Sequence, residues 1–412
     1  MALSIKEIRL SNESRVKLLL QDSVPVYWPC LYILKNMRVR SPNTQQRFLS
    51  DLLVFFAWLK AERIELEVRL QQRPNPQYLT ESELARFANQ AHWTKETLDK
   101  LNNSTRLHPT AFRQVGASQA ESRMITAKNY LCFLYEALGH PDDRLARTTQ
   151  LIKRIDLSIK ESRPAWKRRP IEPKGLSPEQ ETVLLNNFYP ESESNPWPKS
   201  EEIRVRNYLI LFLLYNLGIR RSEMLGIKLK DIDYRKNRIQ IIHRPNDLDD
   251  TRLSEPNIKT NERSLPAKEE LIALIIRYTA LRRKCKNAKR HPYLLVAHGK
   301  SEGVPLSIKS VDAVFNKAKK AFPVLKGVTP HTLRHHDVYR TIKAIAEKIE
   351  HLPFEDKVER VRRILNLKFG WSEKSNMGDY YARKYYQEEV DKALGERNNK
   401  LLGECMIDKK RI

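Results

Sequence analysis

The chain has 412 residues, of which 30% are charged, and it carries a formal net charge of +25 with a pI near 9.8. Its 41% hydrophobic content is enough for real cores, and its length favours two or three domains over one. The charge excess calls for a polyanionic partner, and no apolar run approaches the roughly 20 residues that span a bilayer, so a membrane partner is not expected. The opening "MALSIKEIRLSNES" lacks the apolar core of a signal peptide. The cysteines, Cys30, Cys132, Cys285 and Cys405, are too scattered for a disulfide frame or a zinc site. The expected setting is a reducing one, the cytoplasm and nucleoid of a bacterium.

In chain order, residues 1–40 read as an N-terminal extension, and 41–160 as a helical domain. "TQQRFLSDLLVFFAWLKAE" puts Phe48, Leu52, Phe55, Phe56 and Leu59 at helical spacing behind a Pro42-Asn43-Thr44 start signal. "LTESELARFANQ" opens with Thr80 and has Glu83 three residues on, a capping box. "RMITAKNYLCFLYEALGH" is a third apolar helix, stopped by Gly139. Aromatic residues at this spacing serve a core. Residues 159–180 break the pattern with four prolines and six Lys/Arg. This predicts a basic linker over 161–176, where Lys167, Arg168 and Arg169 are placed to lie along phosphates.

A second domain is expected over 177–390, with a tail over 391–412. "RVRNYLILFLLYNLG" predicts a helix ending at Gly218, and "RRSEMLGIKL" a second one. "RIQIIH" and "ERSLPA" read as two strands of a small antiparallel sheet, separated by a long polar excursion rich in acids, among them Asp247, Asp249 and Asp250. "YLLVAH" is another short apolar segment, and helices dominate after Ser307. The fold class is therefore mainly α with a small antiparallel β-sheet in the C-terminal domain.

Four stretches of this domain carry chemistry, and each looks ordinary alone. In "LGIRRSEMLGIKLKDID", Arg220 directly follows Gly218-Ile219, and Glu223 lies within reach of pinning an arginine. Lys259 in "NIKTNERSLPA" stands at a predicted hairpin turn, where lysines are usually solvated. In "PHTLRHHD", His331 and His335 have the spacing of a helical metal pair. Arg334 would set a fixed positive charge beside that metal and no carboxylate lies between the histidines, so no metal is expected. "FGWSEKSNMGDYYARKYY" holds Trp371 and the pair Tyr380-Tyr381.

Taken in order, these segments resemble the tyrosine recombinase (phage integrase) family. That family has an arginine in a G-[LI]-R-x-S-E junction, a hairpin lysine, an H-x-L-R-H box, and G-[HW] followed about ten residues later by a nucleophilic tyrosine. Here the set is Gly218-Ile219-Arg220-Arg221-Ser222-Glu223, Lys259, His331 to His335, Gly370-Trp371 and a tyrosine, over roughly residues 176–386. The register G-W-x-x-x-S-x-M-x-x-x-Y, with Ser375 and Met377 in place, selects Tyr381; Tyr380 stays the alternative nucleophile.

The resemblance implies a two-domain DNA clamp: a helical, SAM-like core-binding domain and a catalytic domain. Arg220 and Arg334 would grip the non-bridging oxygens of one phosphate, where the planar guanidinium fork suits the geometry. His331 would act as a donor or as a proton acceptor for the tyrosine, and Trp371 would donate through its indole N–H. Lys259 would protonate the departing 5′ oxygen, with Lys268 the second choice. Glu223 and His335 would brace the arginines, and His336 would be structural or exposed. The implied partners are double-stranded DNA, three further copies of the chain in a homotetramer on paired sites, and accessory proteins. The implied chemistry, cutting and rejoining through a 3′-phosphotyrosyl link, uses neither metal nor ATP and no cofactor. It would serve integration, excision or transposition of a mobile element. The rival readings are a relaxing topoisomerase of type IB chemistry and a catalytically inactive architectural DNA-binding protein.

Overall fold

The structure is a computed structural model that describes residues 3–10, 14–94, 96–97, 113–162, 175–252, 256, 258, 260–299 and 301–408. The predicted DNA-contacting residues Lys167, Arg168 and Arg169 and the predicted general acid Lys259 lie outside the described residues. The chain divides into two compact units, Met1–Ile171 and Glu172–Ile412.

The first unit opens on an antiparallel sheet of order β1-β2-β3, formed by β1 (Leu3–Arg9), β2 (Arg15–Gln21) and β3 (Val24–Pro25). Sequence reading assigns no element to this stretch, for two physical reasons. β2, "RVKLLLQ", is buried at most positions rather than at alternate ones, so it lacks the period of two that marks a half-exposed strand. Its turn to β3 uses Asp22 and Ser23 at positive φ (48° and 72°) instead of the Asn-Gly or Asp-Gly that announces such a turn.

Helices complete this unit. They are α1 (Tyr27–Tyr32), α2 (Pro42–Ala61), α3 (Leu66–Gln71), α4 (Glu81–Gln90), α5 (Ala117–Leu138) and α6 (Arg144–Ser162). The Ser41 hydroxyl caps α2 by accepting from the Thr44 N–H (3.3 Å), and Thr80 and Glu83 form the predicted capping box of α4. Phe55, Trp58, Phe87 and Tyr130 are fully buried at 0% exposure, and Phe55 meets Phe87 edge to face at 5.0 Å. Each of the two phenylalanine rings contributes about 1.5–3 kcal/mol by leaving water. The aromatic residues at helical spacing are core.

The second unit begins its helices with α7 (Pro178–Asn187), capped by Ser177 and Gln180. α8 (Glu201–Leu217) follows and ends on Gly218, whose φ of 57° is left-handed. A Cβ there would run into the Asp337 carboxylate and come within 2.7 Å of the Phe369 ring, so only glycine fits. After α9 (Arg221–Gly226) comes a second antiparallel sheet, β4 (Ile232–Asp233), β5 (Arg238–Ile241) and β6 (Arg263–Pro266), with Arg238 opposite Pro266 and Ile241 opposite Arg263. The two predicted strands are thus paired. Then follow α10 (Glu269–Arg283), α11 (Ile308–Ala321), α12 (Pro330–Ala346), α13 (Phe354–Phe369) and α14 (Met377–Asp408). Among the described residues, no helix is long and apolar enough to cross a membrane.

The acidic excursion between β5 and β6 is tied to the unit along its described part. Lys228, 3% exposed, donates to Asp247 (3.0 Å) and Asp249 (2.7 Å), and Asp247 also accepts from the Tyr293 hydroxyl at 2.7 Å. Arg252 grips Asp250 with two parallel bonds of 2.8 and 2.7 Å and donates to the carbonyls of Leu225 and Leu306. The acids that make the loop look hostile to a catalytic lysine are therefore matched by local cations.

Candidate active site

Four elements converge on one buried carboxylate. Glu223 sits in the first turn of α9, 1% exposed, and closes a capping box by accepting from the Arg220 backbone N–H at 2.9 Å. Its oxygens also accept from Arg263 on β6 (2.7 Å), from the Thr260 hydroxyl (2.5 Å) and from the Arg220 guanidinium (3.4 Å), and lie 3.8 Å from Arg334 on α12. Burial pushes the Glu223 carboxyl up, but Arg263 and Arg334, with the Thr260 bond, outweigh it and hold the pKa below the usual glutamate range. Three guanidinium groups share this single carboxylate, which leaves an excess of positive charge.

The arginines differ in exposure. The Arg220 side chain is 35% exposed and available to a ligand, whereas that of Arg334 is 4% exposed. Arg334 donates to the carbonyls of Gly218 (2.8 Å) and Phe369 (2.9 Å), and its guanidinium lies 4.9 Å over the Phe369 ring and 5.7 Å over that of Trp371. These bonds engage two of its five N–H groups. Burial and the neighbouring Arg220 lower its pKa to about 9, which still leaves it charged at neutral pH.

Thr329 caps α12 by accepting from Thr332, with Pro330 at the first helical position, so "HTLRHH" winds into the opening turns. His331, Arg334 and His335 then share one face by helical spacing. His331 is exposed and meets buried His335 with ring centroids 4.1 Å apart. His336 faces elsewhere: its Nδ1 accepts from the Leu176 N–H (3.2 Å) and its ring stacks on Tyr215.

The turn after α13 brings in the aromatic side. Gly370 is left-handed (φ 64°), and a Cβ there would meet the Arg263 guanidinium at 2.7 Å and the Asn261 carbonyl at 2.8 Å. The Asn261 N–H donates to the Gly370 carbonyl at 3.0 Å, and Arg263 donates to the Lys368 carbonyl at 2.8 Å, so the end of the excursion is fastened to the turn that bears Trp371. Trp371 is 7% exposed and stacks between Phe369 (5.4 Å) and Tyr381 (5.7 Å, planes 5° apart). Tyr381 is 4% exposed and its hydroxyl is hydrogen-bonded to His335 Nδ1; Tyr380 is 47% exposed. Burial, with Tyr339 and Tyr380 alongside, pushes the Tyr381 hydroxyl up to about 12, against the pull of Arg334 and Arg220.

The structure thus brings Arg220, Glu223, His331, Arg334, His335, Trp371 and Tyr381 into one site. Glu223, expected from the resemblance to brace arginines, contacts Arg220, Arg263 and Arg334. His335 is placed differently from expectation: its bond goes to Tyr381. Lys268 stands at the N-cap position of α10, beyond the far end of β6 from Arg263, with no side-chain capping bond. Arg263 and Thr260 are site residues that sequence reading misses. Their one signal is proximity in "NIKTNERSLPA" to Lys259.

Parts of this chain are similar in sequence to known proteins. A profile described as the phage integrase family matches residues 181–346, which includes Arg220, Arg263 and Arg334 and stops before Trp371 and Tyr381. The tyrosine recombinase XerC of Staphylococcus epidermidis is 29% identical over 217 residues, covering 51% of this chain and 64% of the relative. XerC of Staphylococcus carnosus is 30% identical over the same length, with the same coverage of 51% and 64%. The chain therefore spans a little under two thirds of the length of these relatives. Among solved structures, the Tn1549 transposon integrase with transposon right end DNA aligns over 81% of this chain and 93% of that one, at 17% identity and a TM-score of 0.48. On the sequence matches, residues 181–346 of this chain are similar to the phage integrase family, and the chain is similar to proteins named tyrosine recombinases.

Proposed function

We propose that the chain is a site-specific DNA recombinase or integrase that cuts and rejoins DNA through a 3′-phosphotyrosyl intermediate. The observation that carries this reading is the excess positive charge around Glu223, next to a buried tyrosine in the register expected of the nucleophile. Tyr381 attacks the phosphorus, and negative charge builds on the non-bridging oxygens. Arg220 and Arg334, fixed in advance by Glu223 and by two backbone carbonyls, stabilise that charge without reorganising. His331, exposed on the same helix face, donates to the phosphate. Lys259 protonates the leaving 5′ oxygen; its chain neighbour Thr260 contacts Glu223, which supports this role. Trp371 fixes the Tyr381 ring by stacking, and its indole N–H is the donor toward the phosphate. The phosphotyrosyl bond conserves the energy of the broken one, so rejoining needs no ATP.

In this reading 41–160 is the core-binding domain, 177–390 the catalytic domain, and Lys167, Arg168 and Arg169 of the linker 161–176 follow the backbone of duplex DNA. Four copies act on paired sites, in the bacterial cytoplasm, for a mobile element. The test uses nicked duplexes tiled across the DNA that flanks the gene, in which the short cleaved strand diffuses away and traps the adduct. Wild-type protein is expected to give a detergent-stable protein–DNA adduct, and Tyr381→Phe none. DNA binding with no adduct in the wild type would point instead to an architectural protein.

A further inference from the structure

Within that proposed reaction, on which the present inference rests, one hydrogen bond has no assigned role. It joins the Tyr381 hydroxyl to His335 Nδ1. We propose that His335, rather than His331, is the base that takes the proton of Tyr381.

A general base must lie within hydrogen-bond reach of the proton it removes. His335 meets that condition before any DNA arrives. It is 8% exposed, so no water shell competes for its ring. The Tyr381 ring is held from three sides, by Trp371 (5.7 Å, parallel), Tyr339 (6.3 Å, perpendicular) and Tyr380 (5.4 Å), which keeps the hydroxyl aimed at Nδ1. A phenol with its proton still on is a weak nucleophile, and burial keeps this one protonated at neutral pH. His331 occupies the exposed position one helical turn earlier, against His335 and toward the solvent from which a phosphate would come. The two histidines thereby divide the work: the outer one contacts the phosphate and the inner one contacts the nucleophile.

Neutral His335 carries its proton on Nε2 and accepts through Nδ1. As the Tyr381 oxygen bonds to phosphorus, its proton passes to Nδ1. The bond from phosphorus to the 5′ oxygen breaks, and that oxygen takes a proton from Lys259. Rejoining runs the same transfers in reverse, and His335 returns the proton to Tyr381.

The experiment has two arms. In the first, imidazole nitrogen NMR on the free wild-type protein reads the tautomer of His335. The expected state has an unprotonated Nδ1, whose resonance moves in Tyr381→Phe; a neutral His335 protonated on Nδ1 would overturn the proposal, without any variant having to fold. In the second arm, single-turnover adduct formation on the nicked duplex is followed against pH. His335→Asn keeps an acceptor near Nδ1 but cannot take a proton. It is expected to lose the rise of rate through the imidazole range and to be slower by about 10²- to 10⁴-fold, while His331→Ala is slower but keeps that rise. If His335→Asn keeps the rise and His331→Ala loses it, His331 is the base. If wild-type protein gives no adduct at all, the recombinase reading fails and takes this step with it, an outcome distinct from an adduct whose pH profile ignores His335.

Discussion

Two buried ionic clusters in the second unit use the same residue types to opposite ends. Around Tyr293, each cation meets carboxylates: Lys228 meets Asp247 and Asp249, Arg244 meets Asp231, and Arg252 meets Asp250. Around Glu223, the side chains of Arg220, Arg263 and Arg334 share a single carboxylate. Removing paired charges from water is costly, and good geometry only offsets that cost. The matched cluster is thus a fastening, which orders a long polar excursion. The unmatched one holds an excess of positive charge in place, which suits the phosphate that the proposed function assigns to it. What separates a fastening from a binding site is the charge balance and not the burial.

This contrast can be broken or sharpened by mutation. The largest stability effect is expected from Asp250→Ala, which takes the two-pronged carboxylate from Arg252, itself only 9% exposed. Removing one partner of a buried pair costs about 3–5 kcal/mol, measurable by urea unfolding, and the folded fraction should still form adduct. Arg220→Ala is expected to do the reverse. It removes one of three like charges from a side chain a third exposed, so stability should change little, while adduct formation falls about 10²- to 10³-fold, or roughly 2.7–4 kcal/mol of transition-state stabilisation. Equal losses of stability in both variants would erase the distinction.

Acid tests the unmatched cluster next. The pKa of Glu223 is lower in the fold than in the unfolded chain, so its contribution to stability is complete above the normal glutamate value and is lost as the pH falls toward the depressed one. Glu223→Gln should flatten that part of a stability-versus-pH curve; an unchanged curve would mean that the carboxylate is not held ionised by its arginines. The smallest effect concerns the linker. Neutralising Lys167, Arg168 and Arg169 together should weaken binding to all duplexes alike and reduce the salt slope by about 0.9 for each phosphate no longer neutralised. A weakening confined to one DNA sequence would mean that these residues read bases.

The two clusters also differ in what the sequence discloses of them. Arg220, Arg334 and Tyr381 are legible because each sits at a fixed offset within a short local signature, and helical spacing puts His331 and His335 on one face. The helices are legible from apolar periodicity and caps. Arg263 and Thr260 are not, because their partner Glu223 lies 40 and 37 positions away and the loop between has no period to read. The bond from His335 to Tyr381 spans 46 positions and depends on how α12 and α14 meet, which spacing cannot express. Strand β2 of the N-terminal sheet stays hidden because its burial on both faces removes the alternation that reveals a strand. The acids of the excursion are matched partly within it, by Arg252 at Asp250, and partly from outside it, by Lys228 at Asp247 and Asp249, a pairing the sequence does not announce.

The central claim, that the unmatched cluster serves a covalent step at Tyr381, is tested most directly by locating the adduct. The protein–DNA adduct is digested with nuclease and trypsin, and the peptide from Ser375 to Arg383, which contains both tyrosines, is fragmented by mass spectrometry. The nucleotide remnant is expected on Tyr381, the buried residue stacked on Trp371 and bonded to His335. A remnant on Tyr380, the exposed neighbour, would contradict the account.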